Sequence, residues 1–172
     1  MAEFKKILMA SGGVTAISYG LSWIYNKYLP QGIANVAFSA IDVPVKSQIQ
    51  SGTNTSLAGK LLGYLGGVIP QGGWLAAAIT LGLASFLVVW LASFISEKLP
   101  AEILPLGKTD TIKFAVSMTL AAGIIGVVVG YMTLSIGTTG TALAMLIYFG
   151  IVSLVYAALR NIEGIKDFFP AL

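Results

Sequence analysis

The chain has 172 residues, of which 56% are hydrophobic and 10% are charged, whereas a typical soluble domain is about 25% charged. So few charged groups cannot cover the surface of a water-soluble domain, and a net charge of +3 supplies no dense basic patch for nucleic acid. The composition therefore excludes an ordinary soluble protein, a disordered protein and a nucleic-acid-binding protein, and it indicates an integral membrane protein.

The first uncharged apolar segment lies between Lys6 and Lys27. A helix needs about 20 mostly apolar residues to cross a hydrocarbon core of roughly 30 Å, so we predict a membrane-spanning helix over residues 7–26. Aromatic residues from Trp23 to Tyr28 follow at its end. Such a cluster is typical of the aromatic belt at a membrane interface.

The outer segment, residues 27–73, is too polar to span a membrane and too apolar to be a free loop. We expect it to form short amphipathic helices at the outer interface. The first should follow Pro30 and end near Pro44, because the residue before a proline is disfavoured in a helix. The second should begin with Ser56 as its N-cap. This second helix, over residues 57–68, either lies flat in the interface or re-enters the membrane, and we favour the flat arrangement.

Asn54 is a candidate modification site between these two helices. The sequence Asn54-Thr55-Ser56 matches the acceptor motif for N-glycosylation. Because a motif of three residues often arises by chance, the match carries little weight on its own.

Two longer apolar segments predict three further spans. Pro70 and its neighbouring glycines interrupt the segment between Lys60 and Glu97, since proline and glycine break helices in this setting. Small polar residues at 135–141 divide the segment that ends at Arg160 into an antiparallel hairpin. The predicted spans are 7–26, 74–96, 111–134 and 141–159, and an interfacial tail follows at 161–172.

These elements predict an all-α, polytopic membrane protein with four transmembrane helices, short interfacial amphipathic helices and a single membrane domain over residues 1–172. Four spans place both termini on the same side of the membrane. Seven of the 10 Lys and Arg residues fall on that side. By the positive-inside rule, this distribution favours cytoplasmic termini.

Two stripes of small or hydroxyl-bearing residues are the candidate functional surfaces. In the first span, hydroxyl residues recur at intervals of four, three and four: Ser11, Thr15, Ser18 and Ser22. In the third span, small residues recur at helical spacing: Ala122, Gly123, Gly126 and Gly130. We interpret the glycine stripe as a helix-packing surface, because lipid provides no hydrophobic force between helices. The hydroxyl stripe suits either packing or the lining of a narrow pore, and packing is favoured.

The sequence offers few groups for catalysis. It contains no His and no Cys, so the commonest metal ligand, the commonest general base and the thiol nucleophile are missing. Ionisable groups inside a membrane usually mark proton relays or coupled transport, and the central parts of the predicted spans contain none. We therefore expect no enzyme, no cofactor and no bound metal.

Two functions remain open. The first is a structural or accessory subunit of an oligomeric or multi-subunit membrane assembly, with membrane lipid and either itself or other membrane subunits as partners. The alternative is a small oligomeric channel or passive transport component whose path is lined by the Ser/Thr stripe. The structural role is slightly favoured, since helix packing by itself also produces a face made of hydroxyl groups.

Overall fold

A computed structural model describes residues 2–28, 38, 41–65, 73–100, 110–133 and 138–170. Within these ranges the chain forms six α-helices and one 3₁₀ turn. The helices are α1 Ala2–Tyr28, α2 Val43–Gln50, α3 Leu57–Leu65, α4 Gly73–Lys98, α5 Asp110–Thr133 and α6 Thr138–Arg160, and the 3₁₀ turn is Lys166–Phe168. The prediction of an all-α fold is confirmed.

Four of these helices are long and apolar enough to cross a membrane. The candidate spans are Phe4–Tyr25, Gly73–Lys98, Asp110–Met132 and Thr138–Arg160. Each of them overlaps a span predicted from the sequence. The agreement is expected, because a helix that crosses a bilayer must be about 20 residues long and mostly apolar.

The four long helices form a closed bundle in which consecutive spans are neighbours. The pair α5–α6 has the most extensive contact, α4 packs on both α1 and α5, and α1 also contacts α6. Neighbours run antiparallel. Thr15 of α1 faces Gly82 of α4, and the rings of Tyr19 and Trp74 meet edge to face with their centroids 5.1 Å apart.

Residues 161–170 fold back onto the bundle. The Phe169 ring packs against Tyr156 of α6, with ring centroids 5.1 Å apart, and also lies against Gly13 of α1. The Tyr156 hydroxyl donates a hydrogen bond to the Pro170 carbonyl at 2.9 Å. The beginning of α1 and the end of α6 therefore lie at one end of the bundle, which we call the tail end.

A helix begins at Val43, close to where we expected one to end. Pro44 lies in the first turn of α2, where its missing N–H and fixed φ are compatible with a helix. Ile41 and Asp42 lie outside any helix, and the sequence analysis predicted no separate helix at Val43–Gln50. The helix predicted directly after Pro30 falls mostly outside the described residues.

The start of α3 agrees with the sequence. The Ser56 Oγ accepts a hydrogen bond from the Gly59 N–H at 3.0 Å, so Ser56 is the N-cap of α3 as predicted. The Asn54 Oδ1 in turn accepts from the Ser56 N–H at 3.0 Å and from its Oγ at 2.5 Å. The turn before α3 is thus fixed by side chains.

The position of α3 differs from that of a helix lying flat on a surface. From Ala58 to Leu65 every residue is buried except Lys60, which is half-buried. The helix contacts all four spans, α1, α4, α5 and α6. A helix that is apolar around most of its circumference is normally enclosed by protein, and α3 is enclosed in this way by the bundle.

Candidate functional site

The hydroxyl stripe of α1 faces the interior of the bundle. Ser11, Ser18 and Ser22 are buried and Thr15 is half-buried. The Ser11 Oγ donates to the Ile7 carbonyl at 2.7 Å, and the Thr15 Oγ1 donates to the Ser11 carbonyl at 2.7 Å. Bonds of this kind satisfy a hydroxyl within its own helix, so the hydroxyls of Ser11 and Thr15 are engaged inside α1.

Ser22 links α1 to two other helices. Its Oγ donates to the Tyr64 carbonyl of α3 at 2.6 Å and lies 3.1 Å from the Tyr148 hydroxyl of α6. The Tyr148 hydroxyl donates to the Ser18 carbonyl at 2.7 Å. We call Ser18, Ser22, Tyr64 and Tyr148 the polar cluster. The Ser22 and Tyr148 hydroxyls make three short oxygen–oxygen contacts, and these contacts tie α1, α3 and α6 together.

On α6 the polar cluster lies near the middle of the span. Tyr148 is ten residues from Thr138 and twelve from Arg160, the two ends of α6. At 1.5 Å per residue these separations are about 15 Å and about 18 Å, or roughly half of a 30 Å hydrocarbon core. On α1, Ser22 lies three residues before Tyr25, the end of the candidate span. The polar cluster therefore joins the middle of α6 to the last turn of the α1 span and to the C-terminal end of α3.

Two buried hydroxyls are left without a partner. Among the described residues, the Ser18 Oγ and the Ser85 Oγ are buried and make no hydrogen bond. An unpartnered buried polar group costs on the order of 1–3 kcal/mol. These oxygens lie on the neighbouring helices α1 and α4, and they are polar groups that packing does not satisfy.

The glycine stripe of α5 includes one very close helix contact. A Cβ at Gly126 would lie 2.7 Å from the Ala142 Cα and 3.0 Å from the Thr141 carbonyl oxygen. A Cβ at Gly123 would meet only the Leu146 side chain, at 3.4 Å. Ala122 and Gly130 are buried. Gly126 is therefore the member of this stripe that allows the backbones of α5 and α6 to touch.

A second close contact involves a glycine that the sequence pattern assigned to a turn. Gly140 lies in the first turn of α6, and a Cβ there would overlap the Ile41 side chain. Phe38 and Ile41 pack with Leu62 of α3 and Ala144 of α6 in one buried cluster. This cluster anchors the described part of the outer segment on the bundle.

The outer face of α1 also carries small residues that the sequence analysis did not single out. Gly12 and Ala16 are exposed and Gly20 is half-buried. A Cβ at Gly12 or at Gly20 would meet no atom within 4 Å. We call Gly12, Ala16 and Gly20 the small-residue face. Their spacing of four residues places them along one side of α1. This spacing was the feature of the sequence from which the small-residue face could have been predicted.

Tyr148 was likewise missed by the sequence analysis, and Tyr64 contributes only its backbone carbonyl, which no residue type signals. A tyrosine that is buried usually finds a hydrogen-bond partner for its hydroxyl, so a tyrosine in the middle of an apolar span is a signal of an internal polar contact. Asn54 is half-buried, and its amide oxygen is held by Ser56. N-glycosylation at Asn54 stays a prediction.

The described residues contain no group of three or more His, Cys, Asp or Glu side chains that could hold a metal ion. The four candidate spans make the chain an integral, multi-pass membrane protein in contact with lipid. Comparison with protein-family models, with curated proteins and with solved structures finds no match to this chain.

Proposed function

We propose that the protein is a non-enzymatic structural or accessory subunit of an oligomeric or multi-subunit membrane assembly. The observation that carries the proposal is the small-residue face of α1. Helices associate in lipid where small residues allow their backbones to approach closely. At Gly12 and Gly20 the protomer leaves such a surface open, with no atom within 4 Å of a Cβ. A helix of a second copy or of another subunit would fit this surface.

The use of glycine elsewhere in the molecule supports this interpretation. At Gly126 the same residue type brings α5 and α6 into backbone contact inside the protomer. The small-residue face has the same chemistry but no neighbour within the described chain. We propose that it makes the equivalent contact between subunits.

The polar cluster supports a structural role over catalysis or transport. The Ser22 and Tyr148 hydroxyls bind backbone carbonyls, at 2.6 Å from Ser22 to Tyr64 and 2.7 Å from Tyr148 to Ser18, and lie 3.1 Å from each other. Hydrogen bonds between helices stabilise a membrane bundle by about 0.6 kcal/mol each. We further propose that the tail end faces the cytoplasm, because most Lys and Arg residues are expected on that side.

The test adds bulk to the small-residue face. In the double variant Gly12→Leu, Gly20→Leu the new side chains point into open space, so the protomer should stay folded while assembly weakens at least about tenfold. Fluorescence energy transfer between labelled copies in liposomes measures self-association. Cross-linking in native membranes, followed by mass spectrometry, measures association with other subunits.

Ala158→Leu is the matched control, because Ala158 is an exposed small residue on a different span. It should leave assembly unchanged. The proposal fails if the double variant assembles as the unsubstituted protein does, or if the unsubstituted protein is a monomer without partners in both measurements.

A second function, a channel or passive transport component, is favoured by one observation. The Ser18 Oγ and the Ser85 Oγ are buried without partners, and such hydroxyls can hydrate a narrow path. If this function holds, Ser18→Ala lowers solute flux through reconstituted liposomes and Ser18→Leu lowers it further. A flux equal to that of empty liposomes in the unsubstituted protein would rule the channel out.

A further inference from the structure

The seam between α5 and α6 forms a groove on the outside of the bundle. Its volume is about 460 Å³, and its lining is apolar or small along its whole length. The lining includes Ala115, Thr119, Leu120, Gly150, Ser153 and Ala157. Because Leu120, Leu146 and Leu154 of the lining are exposed, the groove opens toward lipid.

The two hydroxyls in the groove are already satisfied. The Thr119 Oγ1 donates to the Ala115 carbonyl at 3.0 Å, and the Ser153 Oγ donates to the Gly150 carbonyl at 2.7 Å. With these donors engaged, the floor of the groove offers no free hydrogen-bond donor. A hydrocarbon chain therefore matches the groove better than a polar ligand does.

The length of the groove corresponds to one leaflet. On α6 its lining extends from Leu146 to Ala157, which is about 16 Å along the helix axis. That is roughly half of a 30 Å hydrocarbon core. An acyl chain reaches this depth from one surface, whereas a packed transmembrane helix would require a surface along the whole span.

Two cations lie where the groove meets the tail end. Lys113 precedes the lining residues Val116 and Leu120 by three and seven positions, so it shares their side of α5. Arg160 follows Ala157 by three positions, and its guanidinium donates to the Thr111 hydroxyl across the seam. Both cations are half-buried, while Asp110 in the same turn of α5 is exposed.

We propose that this seam is a binding site for an anionic phospholipid, with one acyl chain in the groove and the phosphate against Arg160 and Lys113. The guanidinium is suited to the phosphate because its N–H donors form a planar fork. The chemical complementarity is thus twofold, with an apolar groove for the chain and positive charge at its membrane-surface end. The site does not depend on the small-residue face of α1.

The experiment uses the full-length protein, depleted of lipid in mild detergent and titrated with phosphatidylglycerol or with phosphatidylcholine of the same acyl chains. Native mass spectrometry counts the bound lipids. We expect phosphatidylglycerol to bind at least about tenfold more tightly. The double variant Lys113→Gln, Arg160→Gln should reduce this preference to less than about twofold.

Two matched controls separate the site from general effects. Lys5→Gln, Lys6→Gln removes the same charge from exposed positions at the beginning of α1 and should keep the preference. Ala157→Phe fills the groove and should weaken both lipids at least about fivefold, whereas Ala158→Phe adds the same bulk at the next, exposed position and should not. Thermal melting in detergent verifies that each variant is folded.

Several results would overturn the proposal. One is equal binding of the two lipids, and another is equal loss of binding in the α1 charge control. A third is displacement of the lipid by millimolar inorganic phosphate, which would identify a simple anion site. If Ala157→Phe changes the oligomeric mass and leaves lipid binding unchanged, the groove is an interface between protein chains instead.

Discussion

The outward face of α4 and the central part of the outward face of α1 are built from different kinds of residue. The exposed large side chains of α4 recur at intervals of three or four residues: Leu75, Ile79, Leu83, Leu87, Trp90 and Phe94. The central part of the α1 face presents Gly12, Ala16 and Gly20, and exposed Leu8 and Ile24 flank it. Bulky flexible side chains suit fluid lipid, while small residues suit the close approach of another helix. Under the function proposed above, the outward face of α4 contacts lipid and the small-residue face of α1 contacts protein.

Inside the molecule, α1 shows a further contrast between its two sides. Its inner side is polar, and Ser22 makes bonds to α3 and α6 there. Its outer side makes no tight contact at Gly12 or Gly20 with the described residues. The helix is thus held to its own bundle by buried apolar residues and by the Ser22 hydroxyl, while Gly12 and Gly20 stay open.

The largest expected effect on stability comes from a bulky side chain at Gly126, where α5 and α6 are in backbone contact. Gly126→Leu must separate α5 from α6, because even a Cβ there would lie 2.7 Å from the Ala142 Cα. We expect a loss of about 3 kcal/mol or more in the free energy of unfolding, measured by denaturation in detergent micelles. Gly12→Leu is the control and should leave stability unchanged. If Gly126→Leu and Gly12→Leu change the free energy of unfolding equally, glycines packed inside the protomer do not differ in this respect from glycines on its outer surface.

A smaller effect is expected from the polar side of α1. Ser22→Ala removes the donor to the Tyr64 carbonyl and should cost about 1 kcal/mol. Ser11→Ala, in the same stripe, removes a bond within α1 and should cost much less. Hydrogen exchange of the α3 amides reports whether that helix loosens in the Ser22 variant. If the two variants behave alike, the hydroxyl bonds between helices contribute little to the bundle.

The smallest effect is expected on the outward face of α4. Leu83→Ala shortens an exposed side chain that contacts lipid. It should change stability by no more than about 0.5 kcal/mol and leave assembly unchanged, as measured by unfolding and by energy transfer in liposomes. A clear loss of assembly in this variant would mean that α4 is also a protein-binding face.

The fold class was predictable because hydropathy alone determines which segments can cross a bilayer. The helical hairpin of α5 and α6 and the N-cap at Ser56 also follow from local sequence. The partners of Ser22 could not be predicted in this way, because they lie 42 and 126 residues away along the chain. Their identity depends on how the helices are arranged around one another.

The small residues also show what local sequence can and cannot predict. Spacing identifies both the Gly126 stripe and the small-residue face of α1, but it cannot say which of them is covered within the protomer. For α3 the pattern suggested a helix lying flat, since its glycines and Lys60 give it the composition of an interfacial helix. The enclosure of α3 by four spans depends on how the bundle is assembled, so it cannot be predicted from the local sequence of α3.

The enclosure of α3 has a consequence for how the chain reaches its final state during synthesis. Two of the spans that enclose α3, α5 and α6, follow it in the sequence, so a ribosome produces α3 well before its surroundings exist. The contacts of α3 with α5 and α6 can therefore form only after these two spans have been synthesised. Insertion of the last span is then the step that completes the protein, and a chain truncated before it should leave α3 accessible to protease.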